Sequence, residues 1–222
     1  MQLIEILKHL DTNLFLAING LYAPFFDGFM YMVSEKFMWV PLYASVLYVL
    51  IKHWKKEAIW LILALVLCIV ISDQVSSHIL KNLVQRLRPS HADNLKGMVH
   101  LVKGYSGGLY GFASSHAANS FSFALLSSLI FKRKIYTYSI FVWVLITVYS
   151  RIYLGVHYPF DIVGGVVVGS IAALGCYWIL GKFRPALVKS DVNNIIEKPT
   201  TIIPVSVLGL SFLGIIVYSF IG

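Results

Sequence analysis

Residues 58–89 read AIWLILALVLCIVISDQVSSHILKNLVQRLRP, and the stretch up to Leu80 decides the fold. Its only acidic residue is Asp73, and no Lys or Arg appears before Lys81. As a helix it rises roughly 35 Å at ~1.5 Å per residue, enough to cross the ~30 Å hydrocarbon layer of a bilayer. Lys81 then falls near the surface of that layer, and Asp73, about 22 Å from Ala58, within its outer part. Working outward, further apolar segments cover 38–51, 117–131, 135–149, 160–180 and 201–221.

Composition agrees. Of 222 residues 58% are hydrophobic and 13% charged, with a mean hydropathy of +0.77. An ordinary soluble domain has roughly 45–50% and about 25%. A solvated globular enzyme is excluded. The segments predict an all-α polytopic membrane protein, a six-transmembrane-helix bundle forming one domain over residues 1–222. Residues 1–19 alternate apolar side chains with Glu5, Lys8, His9 and Asp11, the pattern of an interfacial helix rather than a signal peptide. The amphipathic segment extends over 1–36. Cys68 and Cys176 lie in apolar runs without paired spacing, which suits packing rather than a disulfide or zinc site.

The net charge of +8 reads first as topology. Lys52, Lys55 and Lys56, then Lys132, Arg133 and Lys134, then Lys182, Arg184, Lys189 and Lys198 follow alternate spans, so they share one side. The positive-inside rule makes that side cytoplasmic, with both tails and the long 78–116 connection outside. Residues 188–200 read as a polar cytoplasmic linker. No nucleic-acid partner is needed to account for the charge.

Three polar groups then fall on the outer face. Lys81 and Arg88 are seven residues apart, so on one helix they would share a face about 10 Å apart, with Pro89 ending the helix. Arg86 lies off that face. Snorkelling interface cations would look the same. Ser114 and Ser115 stand just before an apolar run, where Ser114 is either a plain N-cap or, with the backbone N–H groups of Ser115 and His116, part of an anion cradle at a helix N-terminus. Arg151, His157 and Asp161 form the third group, and the i, i+4 spacing lets Asp161 hold one imidazole nitrogen of His157 while the other stays free. Asp73, beside Ser72, Gln74 and Ser76, suggests an interhelical polar network, and Gly165, Gly169 and Ala173 a helix-packing stripe. Taken together, three cations, two histidines and a helix N-terminus describe a phosphate site.

Lys-x6-Arg-Pro, then Ser-x-His, then Ser-Arg-x5-His-x3-Asp resembles the three-part signature of the type 2 phosphatidic acid phosphatase (PAP2) family, spanning residues 81–161. Ala113 and Ser115 stand where the family usually has Pro and Gly. The resemblance implies a metal-independent membrane phosphatase without a cofactor. In it His157 is the nucleophile oriented by Asp161, His116 is the acid and base, and Lys81, Arg88, Ser114, Ser115 and Arg151 bind the phosphate. It also implies a lipid phosphate or diphosphate as substrate and a bacterial inner-membrane location with the site facing the periplasm. Undecaprenyl diphosphate ranks first, because so short an outer loop leaves little protein to read a sugar. Phosphatidylglycerol phosphate and the phosphates of lipid A are the alternatives, with lipid phosphotransfer and lipid transport as rival activities. The oligomeric state is left open.

Overall fold

A computed structural model describes residues 2–189 and 198–221 of the chain. Most of the linker expected at 188–200 lies outside the described residues. Of the described residues 84% are helical. Two helices, α1 (Gln2–Asn19) and α2 (Pro24–Ser34), precede α3 (Val40–Trp54) and α4 (Ala58–Asp73). Helix α4 continues through a wider π-helical stretch, Gln74–Leu80, into a last turn, α5 (Lys81–Val84). After a long loop come α6 (Ser115–Phe131), α7 (Lys134–Tyr153), α8 (Pro159–Phe183), the short α9 (Pro185–Lys189) and α10 (Ile202–Ile221).

Local chemistry sets these boundaries. Proline opens α2 and α8, where its missing N–H costs nothing. Left-handed Lys132 stops α6, and its N–H closes on the carbonyl of Ser128. Lys55, at φ 48°, breaks the chain between α3 and α4. Four described stretches are long and apolar enough to cross a membrane: Lys36–Val84, Lys134–Tyr153, Pro159–Phe183 and Ile202–Ile221. The expected count of six depends on dividing the first of these at Lys55 and on adding the 17-residue α6.

Helix α6 lies at the centre and packs mainly on α8, with α4 and α7 beside it. Small residues allow the close approach. A Cβ on Gly165 would stand 2.4 Å from the carbonyl oxygen of Ser114, and one on Gly169 2.5 Å from that of Ala118. The glycine stripe of α8 is therefore the packing face it was expected to be. Asn119 on α6 donates to Asp73 on α4 at 2.9 Å, so Asp73 does join an interhelical network. Leu63, Val66, Val142, Leu145, Ile171 and Leu210 point outward, as lipid-facing residues should.

The two ends of the bundle differ. At one, the basic connections meet: Arg184 approaches Glu57 at 3.9 Å and stacks over Trp60 at 4.2 Å, and Lys132 donates to the carbonyl of Val188 at 2.5 Å. At the other lie the long loop, α1 and the end of α10, where Lys103 sits 5.9 Å from the ring of Tyr218. Helix α1 keeps an apolar outer face at Leu3, Ile6, Leu7 and Leu10, but its inner face is not purely apolar. Asp11, Phe15 and Asn19 are buried on it, against α7 and α8. Asn19 donates to the carbonyls of Tyr153 at 2.7 Å and Ile152 at 3.2 Å and accepts from His100 N–H at 2.8 Å, closing the end of α7.

Candidate active site

The polar groups singled out in the sequence all come to the end of the bundle that carries the long loop, but Lys81 and Arg88 do not share a helix. The helix stops at Val84, because Gln85 turns left-handed at φ 49° and donates to the carbonyl of Lys81 at 3.0 Å. Residues 86–88 then run extended, as suits a residue before proline. They pair with residues 109–111: Arg88 N–H donates to Leu109 O at 3.1 Å, and Gly111 N–H to Arg86 O at 2.8 Å. Arg88 therefore arrives from the loop. Its Nε donates to Tyr110 O at 3.1 Å and its Nη1 to Val156 O at 3.4 Å. Gly107, at φ +66°, lies under the guanidinium, where a Cβ would meet Nη1 at 2.6 Å.

Arg151 occupies the last turn of α7, only 1% exposed. Nη1 donates to Ser34 Oγ at the end of α2, Nη2 donates to Tyr105 OH at 3.0 Å, and Nε has no partner among the described residues. A buried guanidinium with a spare donor is prepared for an anion. Lys81 is close enough to Arg88 and Arg151 to feel both charges.

His157 lies before α8 rather than on it, yet still meets Asp161. The Asp161 carboxylate folds back over the helix start, where Oδ2 accepts from Tyr158 N–H at 3.0 Å and faces His157 Nδ1 at 3.4 Å. Both residues are buried. Burial, then the charges of Arg88, Arg151 and Lys81, holds the imidazole well below the usual histidine range. The ring is thus neutral near pH 7, with Nδ1–H toward Asp161 and Nε2 carrying the lone pair.

On α6, Ser114 caps the helix, its Oγ accepting from Ala117 N–H at 3.5 Å. Ser115 and His116 hold the first two helical positions, whose N–H groups have no acceptor within the helix. Ser115 needs no left-handed backbone, so a side chain where glycine was expected costs nothing there. The peptide bond before Ala113 is cis. The His116 ring lies beside Ser34 at the end of α2. Among the described residues, no three His, Cys, Asp or Glu side chains stand together as metal ligands.

Two residues absent from the expected set stand directly behind the His157–Asp161 pair. Arg86 Nη1 lies 3.2 Å from Asp161 Oδ1 and 2.7 Å from Asp11 Oδ2, with its guanidinium 3.9 Å above the Tyr158 ring. Asp11, fully buried on α1, also accepts Phe160 N–H at 2.9 Å. Burial pushes its carboxyl above the usual carboxylate range, against the pull of that N–H and of Arg86. Helical spacing puts Arg86 off the Lys81–Arg88 face; in extended backbone, residues two apart point the same way, which returns it to Arg88's side. For Asp11 the available signal was its i, i+4, i+8 alignment with Phe15 and Asn19.

A family model for the PAP2 superfamily matches residues 57–185. A lipid A 4'-phosphatase of Bacteroides thetaiotaomicron is 39% identical over 99% of both chains. One of Porphyromonas gingivalis is 43% identical over 75% of this chain and 71% of its own. An undecaprenyl-diphosphatase of Sulfolobus acidocaldarius is 27% identical over 75% of this chain and 73% of its own. The crystal structure of Aquifex aeolicus LpxE superposes with a TM-score of 0.56 at 27% identity, covering 75% of this chain and 94% of that one.

Proposed function

This chain belongs to the PAP2 superfamily and is a membrane lipid phosphatase, and from that premise we propose that it hydrolyses a phosphate monoester on a sugar of a lipid A-type glycolipid, through a phosphohistidine at His157. The observation that carries the chemistry is the buried, neutral His157 held at Nδ1 by Asp161 between Arg88 and Arg151. The relatives at 39% and 43% identity support the substrate. Undecaprenyl diphosphate, ranked first on the shortness of the loop, therefore falls behind lipid A phosphate. Sugar recognition does not depend on the loop alone, since space walled by helices lies beside His116.

In the first step His157 Nε2 attacks phosphorus and the bond to the sugar oxygen breaks. His116 gives its proton to that oxygen. Arg88, Arg151 and Lys81 take the charge on the remaining phosphoryl oxygens, with the N–H groups of Ser115 and His116 and the capping residue Ser114 at the helix start. In the second step His116 removes a proton from water, the hydroxide oxygen attacks phosphorus, and the N–P bond breaks to release inorganic phosphate and neutral His157. With the basic connections at the opposite end of the bundle, the reading puts the chain in the bacterial inner membrane and the reaction at the periplasmic face.

Purified protein is assayed for phosphate release from lipid A, undecaprenyl diphosphate and phosphatidylglycerol phosphate, each with and without EDTA. Release from lipid A, insensitive to EDTA and abolished in His157→Ala, is the expected result. Hydrolysis confined to either of the other lipids overturns the substrate, and full activity in His157→Ala overturns the site.

A further inference from the structure

Beside His116 lies a cavity of about 260 Å³ between the end of α2, Lys36, Trp39 and helices α3, α4, α6 and α7. Ser115 and His116 form its edge, so it adjoins the group assigned to protonate the leaving oxygen, while neither Arg88 nor Arg151 lines it. Whatever occupies it is the part of the substrate that departs, not the phosphate.

Its wall is mixed in a specific way. Trp39, Tyr43 and Trp143 supply aromatic surface, Asp73, Asn119 and Thr147 supply polar groups, and Lys36 supplies a cation. Trp143 and Thr147 are 1% and 4% exposed, yet Trp143 Nε1 and Thr147 Oγ1 have no hydrogen-bond partner among the described residues. Asn119 uses its Nδ2 on Asp73 at 2.9 Å and leaves its Oδ1 buried and unpartnered. Buried polar atoms ordinarily have partners, so one free donor, one free acceptor and one free hydroxyl around a single cavity indicate a ligand that brings both donors and acceptors. A hydrocarbon chain brings neither. A prenyl phosphate brings acceptors, which suit Lys36 in the lining but leave the free Asn119 Oδ1 without a donor. A sugar ring bearing hydroxyl and amide groups meets every one of these requirements.

We propose that this cavity is a leaving-group subsite for a hydroxylated, amide-bearing sugar ring, held by Asp73, Asn119, Trp143 and Thr147. The proposal rests on the phosphatase reading above and adds the part of the molecule that selects the substrate. The selecting groups are in the helices, and the outer loop serves the phosphate.

The test uses the full-length enzyme in detergent and two variants, Thr147→Val, which is nearly isosteric, and Asn119→Leu, which removes the free acceptor at similar volume. One arm measures kcat/KM for lipid A and for phosphatidic acid, whose leaving group is a diacylglycerol. The expected result is a fall in the lipid A to phosphatidic acid ratio of about tenfold or more in Thr147→Val, as for a site that loses a hydrogen bond to a substrate hydroxyl. An unchanged ratio, whether or not both rates fall, overturns the subsite. The second arm measures inhibition of whichever lipid phosphate the enzyme hydrolyses best, using the 4'-dephosphorylated glycolipid and diacylglycerol as probes. Inhibition by the sugar-headed probe alone, weakened about tenfold in Thr147→Val, supports the subsite. Equal inhibition by the two probes, or none, overturns it. Because this arm needs no turnover of lipid A, failure of the substrate reading and failure of the subsite give different results. An Asn119→Leu variant that folds and keeps the wild-type ratio also counts against it.

Discussion

At the scale of single residues, His157 is held neutral among positive charges, as the proposed mechanism requires of its nucleophile. Burial and the nearby Arg88, Arg151 and Lys81 all disfavour the imidazolium. The sign of the stability effect follows. Below the unfolded-state pKa of about 6.5 an unfolded chain binds a proton at residue 157, and the folded chain does not. Stability therefore falls as pH drops from about 6.5 toward the depressed folded value, by up to ~1.4 kcal/mol per pH unit from this group. Thermal unfolding of the detergent-solubilised protein from pH 7.5 to 5.5 is expected to show a shallower acid loss in His157→Asn than in wild type. Parallel curves for the two proteins would contradict a buried neutral imidazole. The same two residues show what sequence can reveal at this scale. The spacing of His157 and Asp161 brought them together correctly, although the turn is not helical, because the carboxylate reaches back to Tyr158 N–H.

At the scale of elements, α1 supports the site with its inner face while its outer face stays apolar and exposed. Through Asp11 it fixes both the first turn of α8 and Arg86, and through Asn19 it closes α7 just beyond Arg151. Asp11→Ala is expected to lower kcat between about 10- and 100-fold, the usual cost of slight misplacement of reacting groups, while KM changes little. Asp11→Asn, which can still accept from Phe160 N–H, should recover part of the loss. A variant with wild-type kcat, or one in which only KM moves, would detach α1 from the chemistry. The α6–α8 contact is the other element-level constraint. Gly165→Ala forces a methyl to 2.4 Å from Ser114 O, and overpacking of this kind costs about 1–3 kcal/mol. The melting temperature should fall, and activity with it, because Ser114 opens the helix that carries His116. An unchanged melting temperature would mean that the helices can separate without penalty.

At the scale of the whole molecule, the polarity of the bundle gives a direct test of orientation. With Cys68 and Cys176 both buried, the wild type offers little background for thiol labelling. A cysteine placed at Arg133 should be protected from an impermeant reagent in intact spheroplasts, and one at Gly97, which has open space around its Cα, should be labelled. Labelling at Arg133 would invert the topology. Much of this architecture was legible in the sequence, because hydropathy and Lys/Arg placement report directly on solvent and lipid. Residues 58–80 announced a span, and the basic connections did gather at one end. The boundaries of Lys81 to Arg88 were not legible, since helical spacing was assumed through Gln85, where one left-handed residue ends the helix. Asp11 and Arg86 were missed because their meaning comes from partners remote in the chain, and no local periodicity encodes that.

That remoteness has a consequence for how the protein comes into being. Asp11 and Phe160 are 149 residues apart, so a ribosome feeding the chain into the membrane delivers the first half of this clasp early and the second only after α7 has been made. Until then Arg86 lacks Asp161, and His157 has not been synthesised. On the proposed mechanism, chains that stop short of α8 can carry several inserted helices and still be inert toward the lipids around them. Hydrolysis requires both that α8 has been made and that α1 has docked against it.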